Sequence, residues 1–421
     1  MTVSSSASTS VAPIMIMGCA NHVFNDRLKG HETVLLQSLS HGVQQLTGLI
    51  APLLRRSLAA AAALALATTM ACAGSAPLIF LHMSADRSAW FAGLLSSLTQ
   101  PCGAHIVFPW SAVETSAGVY DWTAVERTIA PWAAQHKTIG LTFAGVDEEP
   151  GQTTGSPSVP ATPAYVLAQT PTITCTGLTR NGVPQYPPPT PVYWERGYAV
   201  PWRAFIQAAI EKYQNDSRIA YMRFGVGVGG ESYLMNGLKS SQVCVAKWEA
   251  AGMSYSAWVA NALSIVDFVG AMKPNKPIFF GLNGIKPWDP SPLAFGKALA
   301  AEANKYGFYV GSAGYNGTYA DYNAVYARYI SRTYMQTKDA QLTSGLFPNI
   351  VTLAEQAGVP VWEIYPEDFM NQTTAPLLAA LGDPKSCAIA ASGALQPIAS
   401  LAPVAIAPLA QLKPVGAQPA H

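Results

Sequence analysis

AHIVFPW (residues 104–110), SAVETSAGVYDW (111–122), TAVERTIAPWAAQHK (123–137) and TIGLTFA (138–144) form the stretch that decides the fold. Two short runs of β-branched and aromatic residues flank a segment whose apolar residues recur at helical spacing. That pattern predicts strands over Ala104–Trp110 and Thr138–Ala144 with a helix over Trp122–Gln135 between them. The same alternation continues on both sides. Further strands are expected over Pro77–Met83, Ile219–Val226, Pro277–Leu282, Gly307–Ser312 and Val359–Tyr365. Helices are expected over Ala89–Leu98, Trp202–Gln214, Tyr255–Met272, Leu293–Lys305, Tyr322–Arg332 and Ile350–Ala357. Strands alternating with helices pair in parallel through right-handed crossovers. Seven such units in about 300 residues predict an α/β chain of the (β/α)8 TIM-barrel class, folded as a single domain. The eighth strand is expected either near Cys387–Ala391 or within Thr333–Phe347.

One connection is far longer than its neighbours. Asp147–Val200 follows the third strand and is rich in Pro, Thr and Gly, with Pro187-Pro188-Pro189 inside it. Loops of this length are usually functional or disordered, and it leaves the C-terminal end of a barrel strand, where barrel sites lie. Tyr186, Tyr193 and Trp194 within it either offer flat faces to a sugar ring or pack inward.

Composition narrows the function. The chain has 421 residues, 12% of them charged, and a formal net charge of +1. That balance excludes a strongly basic nucleic-acid binder, and 50% hydrophobic residues with 10 Trp, 18 Tyr and 14 Phe exclude a disordered chain. Residues 1–76 read as a leader ending in a secretory signal: Arg55-Arg56, the apolar run Leu58–Met70, then small residues through Ala76. The alternative is a membrane anchor over Leu58–Leu81, which is long enough to span. The signal reading makes the protein secreted or periplasmic, with no stable membrane insertion after cleavage. Separately, a monomer is expected. Residues 77–394 are then the barrel and 395–421 a low-complexity Ala/Pro tail. Four cysteines remain after the leader, Cys102, Cys175, Cys244 and Cys387, none in a metal-binding spacing. Cys175 and Cys244 belong to the active face and Cys102 and Cys387 to the opposite end, which predicts the pairs 175–244 and 102–387. Only His82, His105, His136 and His421 remain, so a histidine-based metal site or catalytic triad has few candidates.

Three strand ends carry carboxylates. Trp110-Ser111-Ala112-Val113-Glu114 leads into Gly118-Val119-Tyr120-Asp121-Trp122; Arg223-Phe224 leads through a glycine-rich run to Glu231; and Val361-Trp362-Glu363 leads to Tyr365 and Glu367. The W-S-x-V-E-x-x-x-G-x-Y-D-W stretch resembles the second-strand region of retaining glycoside hydrolases with (β/α)8 barrels, the group that includes the family-42-like β-galactosidases. The resemblance spans roughly Pro77–Phe369 as a pattern of strands and motifs. It implies an acid/base glutamate ending the fourth strand and a nucleophilic glutamate ending the seventh. Counted along the predicted strands, these are Glu231 and Glu363. The group commonly has Asn before the acid/base, where this chain has Gly230.

Two carboxylates suffice for this chemistry. One protonates the leaving oxygen and the other attacks the anomeric carbon of an oxocarbenium-like transition state. A neighbouring Arg223 would keep one carboxylate ionised. Trp110, Trp194, Trp362 and Tyr365, with Arg223, are the candidate substrate contacts, and a carbohydrate is the expected partner. No cofactor is implied. Glu114 reads as a brace for its loop, Glu367 as a weaker nucleophile candidate, and the GxGxxG at Gly225–Gly230 as a poor dinucleotide site because no helix opens behind it. The alternative function is a non-catalytic carbohydrate-binding TIM barrel.

Overall fold

Eight short parallel strands, each with inward and outward residues in alternation, close into a barrel in this computed structural model. It describes residues 77–371, apart from 99, 147–159, 181–182, 186, 236, 316–324, 326–327, 330–331, 338–346 and 357, together with Cys387. The expectations for the leader, the tail and Tyr186 lie outside the described residues, as does most of the helix expected over Tyr322–Arg332. The barrel strands are β1 (Leu78–Ser84), β2 (Gly103–Pro109), β3 (Thr138–Ala144), β4 (Ile219–Phe224), β5 (Ile278–Gly281), β6 (Tyr309–Tyr315), β7 (Thr333–Thr337) and β8 (Val361–Ile364). They follow one another in chain order around the barrel, and β8 closes on β1. The fold is the (β/α)8 barrel.

The missing strand is β7, inside the second of the two expected windows. Its five residues, TYMQT, carry too little apolar character to stand out as a strand. The strand count changes with it. Glu363 lies on β8, where the expected count had placed it on the seventh strand, and the inward residue beside it on β7 is Gln336. Glu231 also moves. It lies seven residues beyond the end of β4, in the glycine-rich loop, rather than ending the strand.

Strand parity sorts the core into two environments. Ala104, Ile106, Leu141, Phe143, Met222 and Phe280 face outward into the layer between barrel and helices. Phe80, Tyr221, Phe279, Tyr309, Tyr334 and Val361 face inward and fill the barrel. The rings of Tyr221, Tyr309 and Tyr334 stack around that of Phe279, with centroids 4.1 to 4.9 Å away. Such bulk needs small residues opposite. A Cβ on Gly140 would overlap the Tyr221 ring, and one on Gly103 would overlap the Thr138 carbonyl oxygen of the next strand.

Helices Ala85–Leu95, Thr123–Ala133, Arg196–Tyr213, Tyr255–Met272, Ala294–Lys305 and Phe347–Gln356 fall close to the expected positions. Tyr255–Met272 is long and apolar enough to cross a membrane, yet its Trp258, Ala262, Ile265, Val266 and Val269 pack into the core. The connection after β3 is a built insertion over its described part. It holds a helix (Ala164–Gln169), a strand pair joining Thr172–Ile173 to Thr190–Pro191, and a hairpin of Leu178–Arg180 with Val183–Gln185. Both disulfides form as expected, Cys102 to Cys387 and Cys175 to Cys244.

Gly103→Ala is therefore expected to destabilise the barrel by about 1–3 kcal/mol or more, since backbone must move to admit the methyl group. Gly93→Ala, in the exposed interior of helix Ala85–Leu95 with open space around it, is expected to stabilise by up to about 1 kcal/mol. Urea unfolding of the two variants checks both signs.

Candidate active site

Above the aromatic floor, the next inward residue of each of several strands is polar. His82 on β1, His105 on β2, Thr142 on β3, Arg223 on β4, Gln336 on β7 and Glu363 on β8 meet toward the C-terminal mouth, the end where barrel active sites lie. Glu363 is the anion at their centre and is 0% exposed. Its Oε2 accepts from Arg223 Nη1 at 2.6 Å, and its Oε1 accepts from the Tyr221 hydroxyl at 3.0 Å. His105 Nδ1 lies 3.1 Å from the same Oε1, and His82 Nδ1 lies 3.7 Å from Oε2. Arg223 Nη1 also donates to Gln336 Oε1 at 2.7 Å.

Electrostatics follow from this packing. Burial alone pushes the Glu363 carboxyl up, but Arg223, His105 and His82 outweigh it and hold it down to about 2. His105 is pushed well below its ordinary value, first by burial and then by Arg223 and His82, against the pull of Glu363. It is neutral at physiological pH, and the Glu363 carboxylate, which can only accept, assigns the ring proton to Nδ1, so that Nε2, 2.8 Å from Thr142 Oγ1, is the acceptor of that pair.

Glu231 approaches the same guanidinium from the mouth, with its Oε1 3.8 Å from Arg223 Nη2. The loop that carries it is not extended, so strand parity does not extend to it. Val226 and Gly227 both donate their amides to the Glu231 carbonyl, and the Glu231 amide returns to Val228. Gly229 and Gly230 have φ of 58° and 78°, in the left-handed region. A Cβ on Gly230 would also run into Thr142. Glycine is thus the residue this backbone requires where the resembling hydrolases commonly have Asn, and the GxGxxG pattern marks a tight fold-back rather than a phosphate cradle.

The structure brings together Glu231, Glu363, Arg223 and Tyr365, whose half-buried ring stands edge-on to His82 with centroids 5.1 Å apart. It does not bring the three tryptophans. Trp110 is fully buried among Tyr198, Trp202 and Phe205, and its Nε1 donates to Glu114 at 2.6 Å. Trp362 points outward, because it alternates with Val361 and Glu363, and packs in the cluster with Ile79, Met335 and Ile350. Trp194 packs on Trp248 and donates to the Ala251 carbonyl. Trp110 and Trp362 therefore serve packing, and the expectation of ring platforms is corrected for them, whereas Trp194 is half-buried. Glu114 is the brace it was expected to be, accepting also from the Gly118 amide and the Tyr165 hydroxyl. Glu367 pairs with Arg87 at the surface.

Sequence reading missed His82, His105, Tyr221 and Gln336 as members of the site. Parity held the signal: each shares the inward face of its strand with a barrel-filling residue or a neighbouring site residue. His82, His105 and Glu363 also present ligating atoms all within 4.8 Å of one another, a set of the kind that binds metals. Arg223 argues against a divalent ion there, since its guanidinium already neutralises the carboxylate and would lie against the cation.

No protein-family model matches the chain, and no curated protein matches it. Among solved structures, the chain is similar to the catalytic domain of a beta-amylase from Paenibacillus polymyxa. The TM-score is 0.47 at 10% identity, over 73% of this chain and 100% of that one. It is also similar to a beta-galactosidase from the psychrophilic Marinomonas ef1, with a TM-score of 0.40 at 9% identity, over 75% of this chain. The match spans 59% of that galactosidase, under two thirds of its length.

Acid should expose these couplings in order. His105, neutral in the fold, contributes stability above its unfolded pKa near 6.5, and this is lost as pH falls below that value. Glu363 contributes stability above about 4.5, lost as pH falls toward 2. Glu363→Gln is expected to flatten the lower part of a stability–pH curve, and His105→Gln the upper part, in urea titrations from pH 8 to pH 3. Arg223→Met, which strands a buried carboxylate, is expected to cost about 3–5 kcal/mol, with much of that restored in the Arg223→Met/Glu363→Gln double variant.

Proposed function

We propose that the chain is a retaining glycoside hydrolase that cleaves O-glycosidic bonds of an oligo- or polysaccharide, with Glu231 as acid/base and Glu363 as nucleophile. The observation that carries this reading is one buried guanidinium, 1% exposed, set between two buried carboxylates at the mouth of a (β/α)8 barrel. Arg223 favours the ionised form of the carboxylate it touches closely, as a nucleophile requires. The second carboxylate is held at a longer distance. Unequal environments for two neighbouring carboxyl groups are the arrangement that separates acid from nucleophile.

In this mechanism the Glu231 carboxyl donates its proton to the glycosidic oxygen as the bond to the anomeric carbon breaks. The Glu363 carboxylate attacks that carbon and forms a glycosyl ester. Glu231, now a base, takes a proton from water, which attacks the ester and releases Glu363. Tyr221 and His105 hold the carboxylate in position. Tyr365 and Arg223 are the remaining candidates for contact with substrate. Two disulfides fit a protein folded in an oxidising compartment, and export by the leader is part of the same proposal.

The second reading, a non-catalytic carbohydrate-binding barrel, is favoured by the complete burial of Glu363 and the engagement of both its oxygens. Turnover of a broad panel of aryl glycosides and polysaccharides separates the two. The hydrolase reading expects a 2-fluoro glycoside to label Glu363 and azide to rescue Glu231→Ala. A label on another residue, or no turnover anywhere in the panel, would overturn it.

A further inference from the structure

The loop that carries Glu231 is unusual support for a proton donor. It leaves β4 through Gly225, Gly227, Gly229 and Gly230, residues with no side chains to wedge it in place, and reaches helix Gln242–Ala250 through the short turn Leu238–Ser240. Its own backbone bonds hold the fold-back at Glu231, and further support comes from outside. On one side it joins the end of β3, where the Gly229 amide donates to the Val146 carbonyl. On the other side the insertion after β3 docks against its C-terminal end and the start of the following helix. The Thr179 amide donates to Ser240 Oγ at 2.8 Å, Ser241 Oγ donates to the Thr176 carbonyl at 2.9 Å, and Cys175 is bonded to Cys244.

The insertion also reaches the loop three residues beyond Glu231. Tyr193, fully buried, donates its hydroxyl to the Leu234 carbonyl at 2.8 Å and sets its ring edge-on to Trp258, with centroids 5.2 Å apart. Trp258 Nε1 in turn donates to the carbonyl of Ser232, the residue after Glu231. A chain of contacts thus runs from the insertion to the backbone beside Glu231.

We propose that the insertion is a positioning clamp for Glu231, locked by the Cys175–Cys244 disulfide, with Tyr193 as its positioning residue. The proposal rests on the reading of Glu231 as the acid. A clamp and a merely stabilising cross-link differ in what they change. Loosening the clamp misplaces the proton donor, which slows cleavage of bonds with poor leaving groups and spares those whose leaving group departs without a proton. General loss of fold slows both.

The test compares Cys175→Ser/Cys244→Ser, Tyr193→Phe and, as control, Cys102→Ser/Cys387→Ser, the disulfide at the opposite end of the barrel. The expected result for the first variant is a fall in kcat/KM, which reports the glycosylation step, of about tenfold on alkyl glycosides, against less than about twofold on 2,4-dinitrophenyl glycosides. Tyr193→Phe, which keeps the ring and loses the bond to Leu234, should shift the same ratio in the same direction by less. The control should leave the ratio unchanged. Equal losses on both substrate types, or an equal shift in the control, would overturn the clamp. Hydrogen exchange at the amides of Gly229, Glu231 and Ser232 gives a readout free of activity. It should quicken by about tenfold or more in Cys175→Ser/Cys244→Ser and not in the control, and unchanged exchange would overturn the clamp. If the unaltered protein turns over no glycoside, the hydrolase reading fails and the exchange measurement alone decides the clamp.

Discussion

A carboxylate and a guanidinium, both almost completely removed from water, face each other across the barrel from β8 and β4. Neither is tolerable there alone. Taking one charge out of water costs several kcal/mol even after relaxation, and the contact at 2.6 Å repays it only if the remaining polar atoms are also satisfied. Much of the barrel interior follows from this demand. Tyr221 and His105 fill the second oxygen of Glu363, Gln336 takes a further donor of Arg223, and Thr142 fixes the ring of His105. Gly140 is bare so that Tyr221 can reach inward. The polar layer and the aromatic floor beneath it are one packing solution.

That solution sets the character of the mouth. His105 is kept neutral, so Arg223 is the permanent cation beside Glu363, with Glu231 facing it from the mouth. A site built this way is preorganised: its dipoles and charges point before any ligand arrives, which is the condition under which electrostatic stabilisation of a transition state is largest. Glu363 is held by groups on strands and Glu231 by a loop, so the two carboxylates differ in the rigidity of their support as well as in their surroundings.

Much of the fold was legible because strand parity and helical spacing are local. Thr138–Ala144 and Tyr255–Met272 fall at the expected residues, and the other paired elements differ at their ends, by up to six residues where helix Arg196–Tyr213 begins ahead of Trp202. The strand at Thr333–Thr337 was the hard one, since a five-residue run with Gln and two Thr has no apolar signature of its own and gains its place only by pairing with β6 and β8. That one omission moved Glu363 by a strand. Arg223 and Glu363 were legible because each alternates with an inward barrel residue. Trp110 and Trp362 were misread for a related reason: an aromatic at a strand end looks the same in sequence whether it faces the ligand or the helix layer. For Trp362 the neighbouring Glu363, facing inward, already decided the question. His82 and His105 were harder, because their meeting depends on the register that aligns them across β1 and β2.

The Cys102–Cys387 bond joins residues 285 positions apart, from the entrance of β2 to a point beyond β8. Nearly the whole barrel is therefore one covalent ring. A protease that cuts any single connection between those two cysteines opens the ring without releasing a fragment. The nicked protein keeps its mass and, where the cut misses a strand, its barrel. Cleavage in the long insertion would thus leave one undivided molecule until the disulfides are reduced.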